Sequence, residues 1–443
     1  MKRSLPLLLA LVALAPSARA ADIAEPEIPP VLTLEGAMQI FRARGLDLLI
    51  AEAQIESVVG DVRAAGAIAN PSIGGGYYRS FFSKGLYETN HGWFASVGDS
   101  NAIVDALSGK RHLRVHTAEA ALAAAKMQRA DAERTLGLEV EQQYFQAVLA
   151  AASLDFAREV AVDANATFEL NQVRFKSGAI SEVDLARIEA AKLEAEQAVD
   201  GALQALRQSK VALAFLLGQR RAFTDFVIEP HQLHFAAPAG LEAATPDGLV
   251  QRAIDARPDL RAQDRQRERA TSGAALARRQ RLPDIGVDLQ YQQEGSGNAP
   301  PASMPTNQGS ITPPTITLSL TSTLPLFYQQ QGEIKRADAD VRLQEVTLAK
   351  TRAQVVSDVE MAFDAYRTSE RLVRRMEDRL LDRAKRSRDL VELQYKKGAA
   401  SLLEYLDARR TYIATNVEYL QDLTGWWNAY FQLQAATASE LSK

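Results

Sequence analysis

The sequence predicts a mainly α-helical chain written twice, in which each half supplies a long helical hairpin and two strands of a membrane β-barrel. Three observations carry this. "RFKSGAISEVDLA" from Arg174 and "QYKKGAASLLEYLDA" from Gln394 are nearly the same phrase 220 residues apart. Each follows a very long Ala-, Glu- and Arg-rich stretch without internal caps. Each stretch in turn follows segments in which apolar and polar residues alternate.

Residues 1–20 read as an export signal, with Lys2 and Arg3, an apolar run from Leu7 to Ala15, and Ala18-Arg19-Ala20 ahead of Ala21. The mature chain then starts near Ala21, and an uncleaved anchor is the alternative. The 443 residues include no cysteine, which excludes disulfides, thiolate metal sites and a Cys-linked lipid. A formal net charge of -4 gives no reason to expect nucleic acid as a partner. Beyond the signal no apolar run of about 18 residues occurs, so any membrane contact must be made by strands.

The first repeat spans 21–218, a linker 219–246 and the second repeat 247–443. Upstream of the two phrases, "EVEQQYFQA" from Glu139 parallels "DVEMAFDAY" from Asp358, and "ANPSIGGGYY" parallels "RLPDIGVDLQY". A period this long is a domain duplication. Helical stretches over 34–69 and 247–282 stop at Pro71 and Pro283. Strand pairs are expected over about 72–105 and 285–326. In the second pair Ile285, Val287, Leu289 and Tyr291 oppose Asp288, Gln290 and Gln292, and Ile316, Leu318, Leu320 and Leu324 oppose Thr315, Thr317, Ser319, Thr321 and Thr323. That is the lipid-out, polar-in pattern of an outer-membrane strand. The Gly-, Pro- and Ser-rich 294–314 between them reads as a surface loop. The first pair is less regular: Ile73, Tyr77 and Phe81 share one face, Tyr78 and Phe82 the other, and its second strand runs into Asp99 and Asp105.

The long stretches, about 111–176 and 333–396, make helices of roughly 100 Å. Their many alanines suit helices laid side by side in a wall better than a free-standing coiled coil with a Leu/Ile seam. Four strands per chain are too few to close a barrel, and an open edge in lipid is not tolerated. Three chains would supply twelve strands, so closure predicts a homotrimer.

The hairpin ends, 177–184 and 397–407, have a complete structural explanation. Gly178 and Gly398 suit the position after a helix where positive φ is wanted. Ser181 and Ser401 suit the N-cap of the returning helix; Glu404 completes a capping box and Asp184 stands in the equivalent place. Asp407 is not explained by capping. It lies three residues after Glu404 and so shares a helix face with it.

Signal, duplicated helix, strand pair and hairpin, the paired Gly-x-x-Ser-x-x-Asp/Glu turns, and "LPLF" followed by Gly332 together resemble the TolC family of outer-membrane efflux channels, from about Leu32 to Ala438. "GKRHLRV" and "PLFYQQQGEI" resemble its CzcC-like heavy-metal branch. The resemblance implies a trimer with a β-barrel in outer-membrane lipid and an α-barrel crossing the periplasm, working with a periplasmic adaptor and an inner-membrane pump of the RND type. Metal cations, or drugs and other organic compounds, would be the cargo. It places adaptor contacts at Gly178, Ser181, Gly398 and Ser401, and rings of acid at the narrow entrance at Glu404 and Asp407. It also implies a hydrogen bond from Tyr395 to Asp184 that holds the entrance shut, while Ala400 stands where a basic lock residue is found in the family.

His112 and His116, spaced i, i+4 with Glu119 nearby, could bind a metal, although a solvated helix face explains them as well. His231 and His234 fall in the linker. "GWWNAYFQL" from Gly425 reads as packing on the final helix, and "GGG" at Gly74 lacks the setting of a phosphate loop. No catalytic ordering stands out, so neither enzyme activity nor a cofactor is expected. The competing readings are a periplasmic adaptor and a fibrous coiled-coil scaffold of the cell envelope.

Overall fold

A computed structural model describes residues 25–79, 91–229, 233–238, 241, 244–295 and 314–439. The expected signal, Phe81, Phe82, His231 and most of the 294–314 loop lie outside the described residues.

Each repeat opens on a broken helix. In the first, α1 (Leu34–Arg44) and α2 (Leu46–Gly66) meet at Gly45; in the second, α6 (Pro246–Ala256) and α7 (Pro258–Arg279) meet at Arg257. Both junctions have nearly the same backbone, φ -55°, ψ 123° and φ -61°, ψ 125°. Pro258 requires that extended conformation of the residue before it. Both repeats also start on the same cap: Thr33 accepts from the Gly36 amide and Thr245 from the Gly248 amide. The continuous helices expected over 34–69 and 247–282 are therefore each two helices, because the amphipathic pattern runs through the break.

The strands β1 (Ser72–Arg79), β2 (His91–Gly98), β3 (Ile285–Gly295) and β4 (Thr315–Ser322) form one antiparallel sheet in the order β1-β2-β3-β4. The pairs Tyr77–Trp93, Val97–Leu289 and Leu289–Leu318 fix its register. Since side chains alternate between faces, Ile73, Tyr77, Trp93, Val97, Leu289, Ile316, Leu318 and Leu320 share one face, and all eight are exposed. The opposite face carries Ser96, Asp288, Gln290, Gln292, Thr317 and Ser319. Gly76 also lies there, where a Cβ would fall 2.6 Å from the Phe94 ring. The "GGG" thus makes room for an aromatic side chain.

The first strand pair does not reach residue 105. β2 stops at Gly98, and the Asp99 carboxylate accepts from the amides of Asn101, Ile103 and Val287 at 3.1, 3.3 and 2.8 Å. It thereby starts a short helix, α3 (Ala102–Leu107), and ties it to β3. Asp105 sits on α3, paired with Arg114 at 2.9 Å. The two acids that made this segment irregular as a strand are outside it. Similarly, β4 ends before Leu324.

Then come the hairpins. In the first, α4 (Lys110–Lys176) runs unbroken for 67 residues and returns as α5 (Glu182–Leu216). In the second, α8 (Gln331–Arg375) and α9 (Leu381–Lys396) are joined by one π turn at Met376–Leu380, and α10 (Leu402–Thr437) returns. Both long helices start from a left-handed residue, Gly109 (φ 77°) and Gln330 (φ 62°). No helix of the described residues is long and apolar enough to cross a membrane.

The main core sits midway along the hairpins. Tyr144 and Val148 of α4, Val355, Val359 and Tyr366 of α8, and Trp426 and Leu433 of α10 are fully buried there. Trp427 stacks on Phe145 with ring centroids 4.7 Å apart, so "GWWNAYFQL" packs between the two hairpins. The connection between repeats is a packed strap. Its Phe226, Ile228, Leu233 and Leu241 enter this core, and Val227 bridges to Val31.

Arg257 ties this region together. Its guanidinium is nearly inaccessible and meets Asp259 at 2.7 Å, Asp358 on α8 at 3.0 Å and the Ala436 carbonyl of α10 at 3.4 Å. Removing one partner of a buried ion pair leaves the other charge uncompensated, at a cost of roughly 3–5 kcal/mol. Arg257→Ala should therefore lower the melting temperature of the detergent-extracted protein sharply; a surface-like change of a degree or less would contradict the burial. Glu141 supplies a pH test. Burial pushes its carboxyl from 4.5 up to about 7, against the pull of Arg42. Below about 4.5 both folded and unfolded chains hold the proton, and above about 7 neither does, so stability falls as pH rises through that window. The whole loss is on the order of 3 kcal/mol at 1.36 kcal/mol per pKa unit. Glu141→Gln should flatten the dependence of melting temperature on pH between those limits.

Candidate functional site

The candidate site is the pair of hairpin ends. At the first, the Ala179 amide donates to the Arg174 carbonyl and the Gly178 amide to Phe175, each at 2.8 Å. At the second, Ala399 donates to Gln394 at 2.8 Å and Gly398 to Tyr395 at 3.1 Å. Both are Schellman terminations, which satisfy carbonyls that a helix end leaves open. Gly178 and Gly398 have φ of +74° and +77°, and a Cβ at either would meet nothing within 4 Å. Glycine is thus required there by backbone conformation, at about 1–2 kcal/mol for any other residue, and space plays no part.

The returning helices are capped unequally. Ser401 Oγ accepts from the Glu404 amide at 3.2 Å, while the Glu404 carboxylate accepts from the Ser401 amide at 2.7 Å and from its hydroxyl at 2.9 Å. The Ser401 amide holds the Glu404 carboxyl below its ordinary value. Ser181 Oγ accepts from the Asp184 amide at 3.1 Å and donates to the Asp184 carboxylate at 2.8 Å. Being one methylene shorter, the aspartate serves the hydroxyl and closes no box with the Ser181 amide. Glu404 and Asp407 are both exposed on α10. Glu404 is engaged by its cap, whereas the Asp407 carboxylate has no ion pair or hydrogen bond among the described residues.

The hydrogen bond expected between Tyr395 and Asp184 is not the one this chain forms. The Tyr395 hydroxyl donates to Asn171 Oδ1 of α4 at 2.8 Å, since the Asp184 carboxylate is drawn to its own cap. Asn171 is fully buried and its amide donates to the Thr167 carbonyl. Thr167 Oγ1 lies 3.1 Å from the Tyr405 hydroxyl, and Tyr405 stacks on Tyr395 with centroids 5.0 Å apart and planes 8° apart. A closed circuit of α4, α9 and α10 side chains results. Ile188 and Leu402 are buried with Tyr405 in one small apolar cluster against which Tyr395 packs, and Arg174 covers the Tyr395 ring at 5.5 Å while donating to the Lys396 carbonyl. Burial pushes the Tyr395 phenol up, with Arg174 opposing. Arg174, on the first hairpin, supplies a cation against the tyrosine although Ala400 offers none.

Sequence reasoning missed Asn171, Thr167, Tyr405 and Arg174. The available signal was the i, i+4 spacing of Thr167 and Asn171 on a helix face that otherwise buries apolar groups. His112 and His116 stack 6.4 Å apart, and His116 Nδ1 meets Ser272 Oγ at 2.8 Å with Glu268 at 3.9 Å from Nε2. No group of three or more potential metal ligands occurs among the described residues. His234 uses its backbone carbonyl, which accepts from Trp427.

Tyr395→Phe would leave Asn171 Oδ1 buried without a donor, at roughly 1–3 kcal/mol. Amide exchange at the ends of α4, α9 and α10 should accelerate about tenfold or more, with the mid-hairpin core unchanged. Unchanged exchange at the tip would remove the circuit as a structural element.

A family model described as outer membrane efflux protein matches residues 37–219 and 249–439, one block in each repeat. The cobalt-zinc-cadmium resistance protein CzcC of Cupriavidus metallidurans is 23% identical over 396 residues, 88% of this chain and 86% of the relative. The pyoverdine export outer membrane protein OpmQ of Pseudomonas putida is 24% identical over 315 residues, 70% of this chain and 62% of the relative. Among solved structures, CusC superposes with a TM-score of 0.73 at 17% identity, covering 92% of each chain. The outer membrane protein VceC of Vibrio cholerae gives 0.71 at 17% identity, covering 92% of this chain and 96% of that one. Both likenesses concern the fold. With both repeats matched by one model, the chain belongs to the outer membrane efflux protein family.

Proposed function

We propose that three copies of the chain join their sheets into a twelve-stranded barrel and their hairpins into a helical duct, through which cargo leaves the periplasm passively. The observation that carries this is the sheet: one face apolar and exposed, the other largely polar, and two edges, β1 and β4, with no partner strand among the described residues. A lipid-facing outer surface and a hydrated lumen are what a shared barrel needs. Energy would come from an inner-membrane pump of the RND type, coupled through a periplasmic adaptor that docks at Gly178, Ser181, Gly398 and Ser401.

In such a trimer the face of α10 that carries Glu404 and Asp407 would line the narrow entrance and draw cations to it. Asp407, with its carboxylate unengaged, is the stronger of the two. The Tyr395–Asn171 circuit would set how readily the hairpins part. The likeness to CzcC, over more of the chain than the likeness to OpmQ, favours divalent metal cations as cargo above organic compounds.

Extracted in mild detergent, the protein should have the mass of a trimer that dissociates on heating; a stable monomer or dimer would contradict barrel closure. In cells that depend on this chain, Asp407→Asn should lower resistance to zinc, cobalt or cadmium by several-fold with trimer levels unchanged. Loss of resistance to organic compounds alone would overturn the cargo assignment.

A further inference from the structure

We infer that Gly92 and Gly76 determine how large a solute passes the barrel exit, because each lets an aromatic ring from the neighbouring strand lie flat against the lumen wall. The inference rests on the reading that the polar sheet face lines the lumen, and it adds the residues that set the bore.

The two glycines belong to a regular pattern. On the polar face β1 contributes Ser72, Gly74, Gly76 and Tyr78, and the register sets them opposite Gly98, Ser96, Phe94 and Gly92 of β2. Every row joins one glycine to one larger residue. A Cβ added at the glycine would fall 2.6 Å from Ser72 Oγ in the first row, 2.7 Å from Ser96 Oγ in the second, and 2.6 Å from the Phe94 and Tyr78 rings in the third and fourth. Those separations are well inside van der Waals contact, which begins at about 3.5 Å. Each larger side chain therefore already fills the space that its partner's side chain would need.

Tyr78 shows how flat the rings lie. Its hydroxyl donates to Glu294 Oε1 at 3.3 Å and accepts from Gln292 Nε2 at 3.0 Å. Both partners are on β3, two strands away, and neighbouring strands lie about 4.8 Å apart. The tyrosine reaches them only by running sideways along the sheet, over Gly92. Phe94 leans the opposite way, from β2 over Gly76 of β1. These contacts lead from β1 over β2 to β3, so a strand added at the free edge of β1 leaves them in place. The facing rows Asp288–Ser319, Gln290–Thr317 and Gln292–Thr315 of β3 and β4 hold no ring.

A methyl group at position 92 would take the place of the Tyr78 ring. The ring is the free end of a side chain, so it yields before the paired backbone does. It would lose Glu294 and Gln292 and turn up into the lumen. Three copies would raise three rings at one level, far from the helices, and narrow the exit for bulky solutes first. Gly76 stands in the same relation to Phe94.

Because the sequence has no cysteine, Gln290→Cys, one row nearer the helices than Phe94, gives a single reporter. In intact cells, membrane-impermeant maleimides of graded size added outside reach it through the exit, and rates are taken per trimer at the cell surface. Gly92→Ala should slow the bulkiest maleimide that labels the parent at least about threefold and leave the smallest unchanged, and adding Tyr78→Ala should restore the rate. Gly76→Ala, with and without Phe94→Ala, repeats the test one row down. Gly75→Ala, on the apolar face with its nearest atom at an ordinary 3.4 Å, should change nothing. Unchanged labelling in both glycine variants, or slowing that persists once the ring is removed, would overturn the assignment and leave the barrel. A Gln290→Cys that reacts with no maleimide would place the polar face outside the lumen and remove both.

Discussion

Backbone amides and carbonyls that enter hydrocarbon must find partners inside the protein. Among the described residues the sheet ends on β1 and β4 and leaves two rows of them open, and the rest of the architecture answers to that constraint. Neither half of the chain could meet it: each supplies two strands, and β2 pairs with β3 across the repeat boundary. The duplication is therefore tied together at the sheet by hydrogen bonds and lower down by the core in which Phe145 of the first repeat stacks on Trp427 of the second. Between those two fixed levels the hairpins are free to be long, and at their far ends a separate small core around Tyr405 holds them in register.

Much of this was legible because the repeat is written in backbone chemistry. Gly178 and Gly398, Ser181 and Ser401 name the turns by conformational need, and their roles in the structure are the ones their residue types suit. The pairs Thr33–Thr245 and Gly45–Arg257 follow the same symmetry, but they escaped notice. A Thr cap is a weak signal, and the second break is marked by Pro258 in place of a glycine. The π turn at 376–380 has no residue signature in "MEDRL", since it is a shift of hydrogen-bond partners within good helix formers. In the sheet, β3 and β4 announce themselves by alternation. β1 hides because Gly74, Gly75 and Gly76 carry no side chain to alternate, and β2 because Asp99 looked like part of the strand when it was the cap of the next helix.

The side-chain circuit at the tips was not legible. Whether Tyr395 meets Asp184 or Asn171 depends on how α9 is rotated against α4 and on what else competes for the carboxylate. Asp184 is held by Ser181, and this leaves a neutral, fully buried amide to receive the tyrosine. A contact of buried neutral groups responds less to salt and pH than one to an exposed acid. In the proposed duct the two functions of the tip would separate: neutral groups inside hold the hairpins together, and the exposed acids would meet the cargo.

That separation makes the acidic face the direct test of the account. The measurement is ion selectivity of the purified protein in a planar lipid bilayer, compared between wild type and the double variant Glu404→Ala, Asp407→Ala. The account predicts discrete cation-selective conductance whose selectivity falls in the variant while the channels persist. Channels of unchanged selectivity would place the acidic face away from the conduction path, and a folded, lipid-inserted protein that forms no channel in either version would contradict the duct.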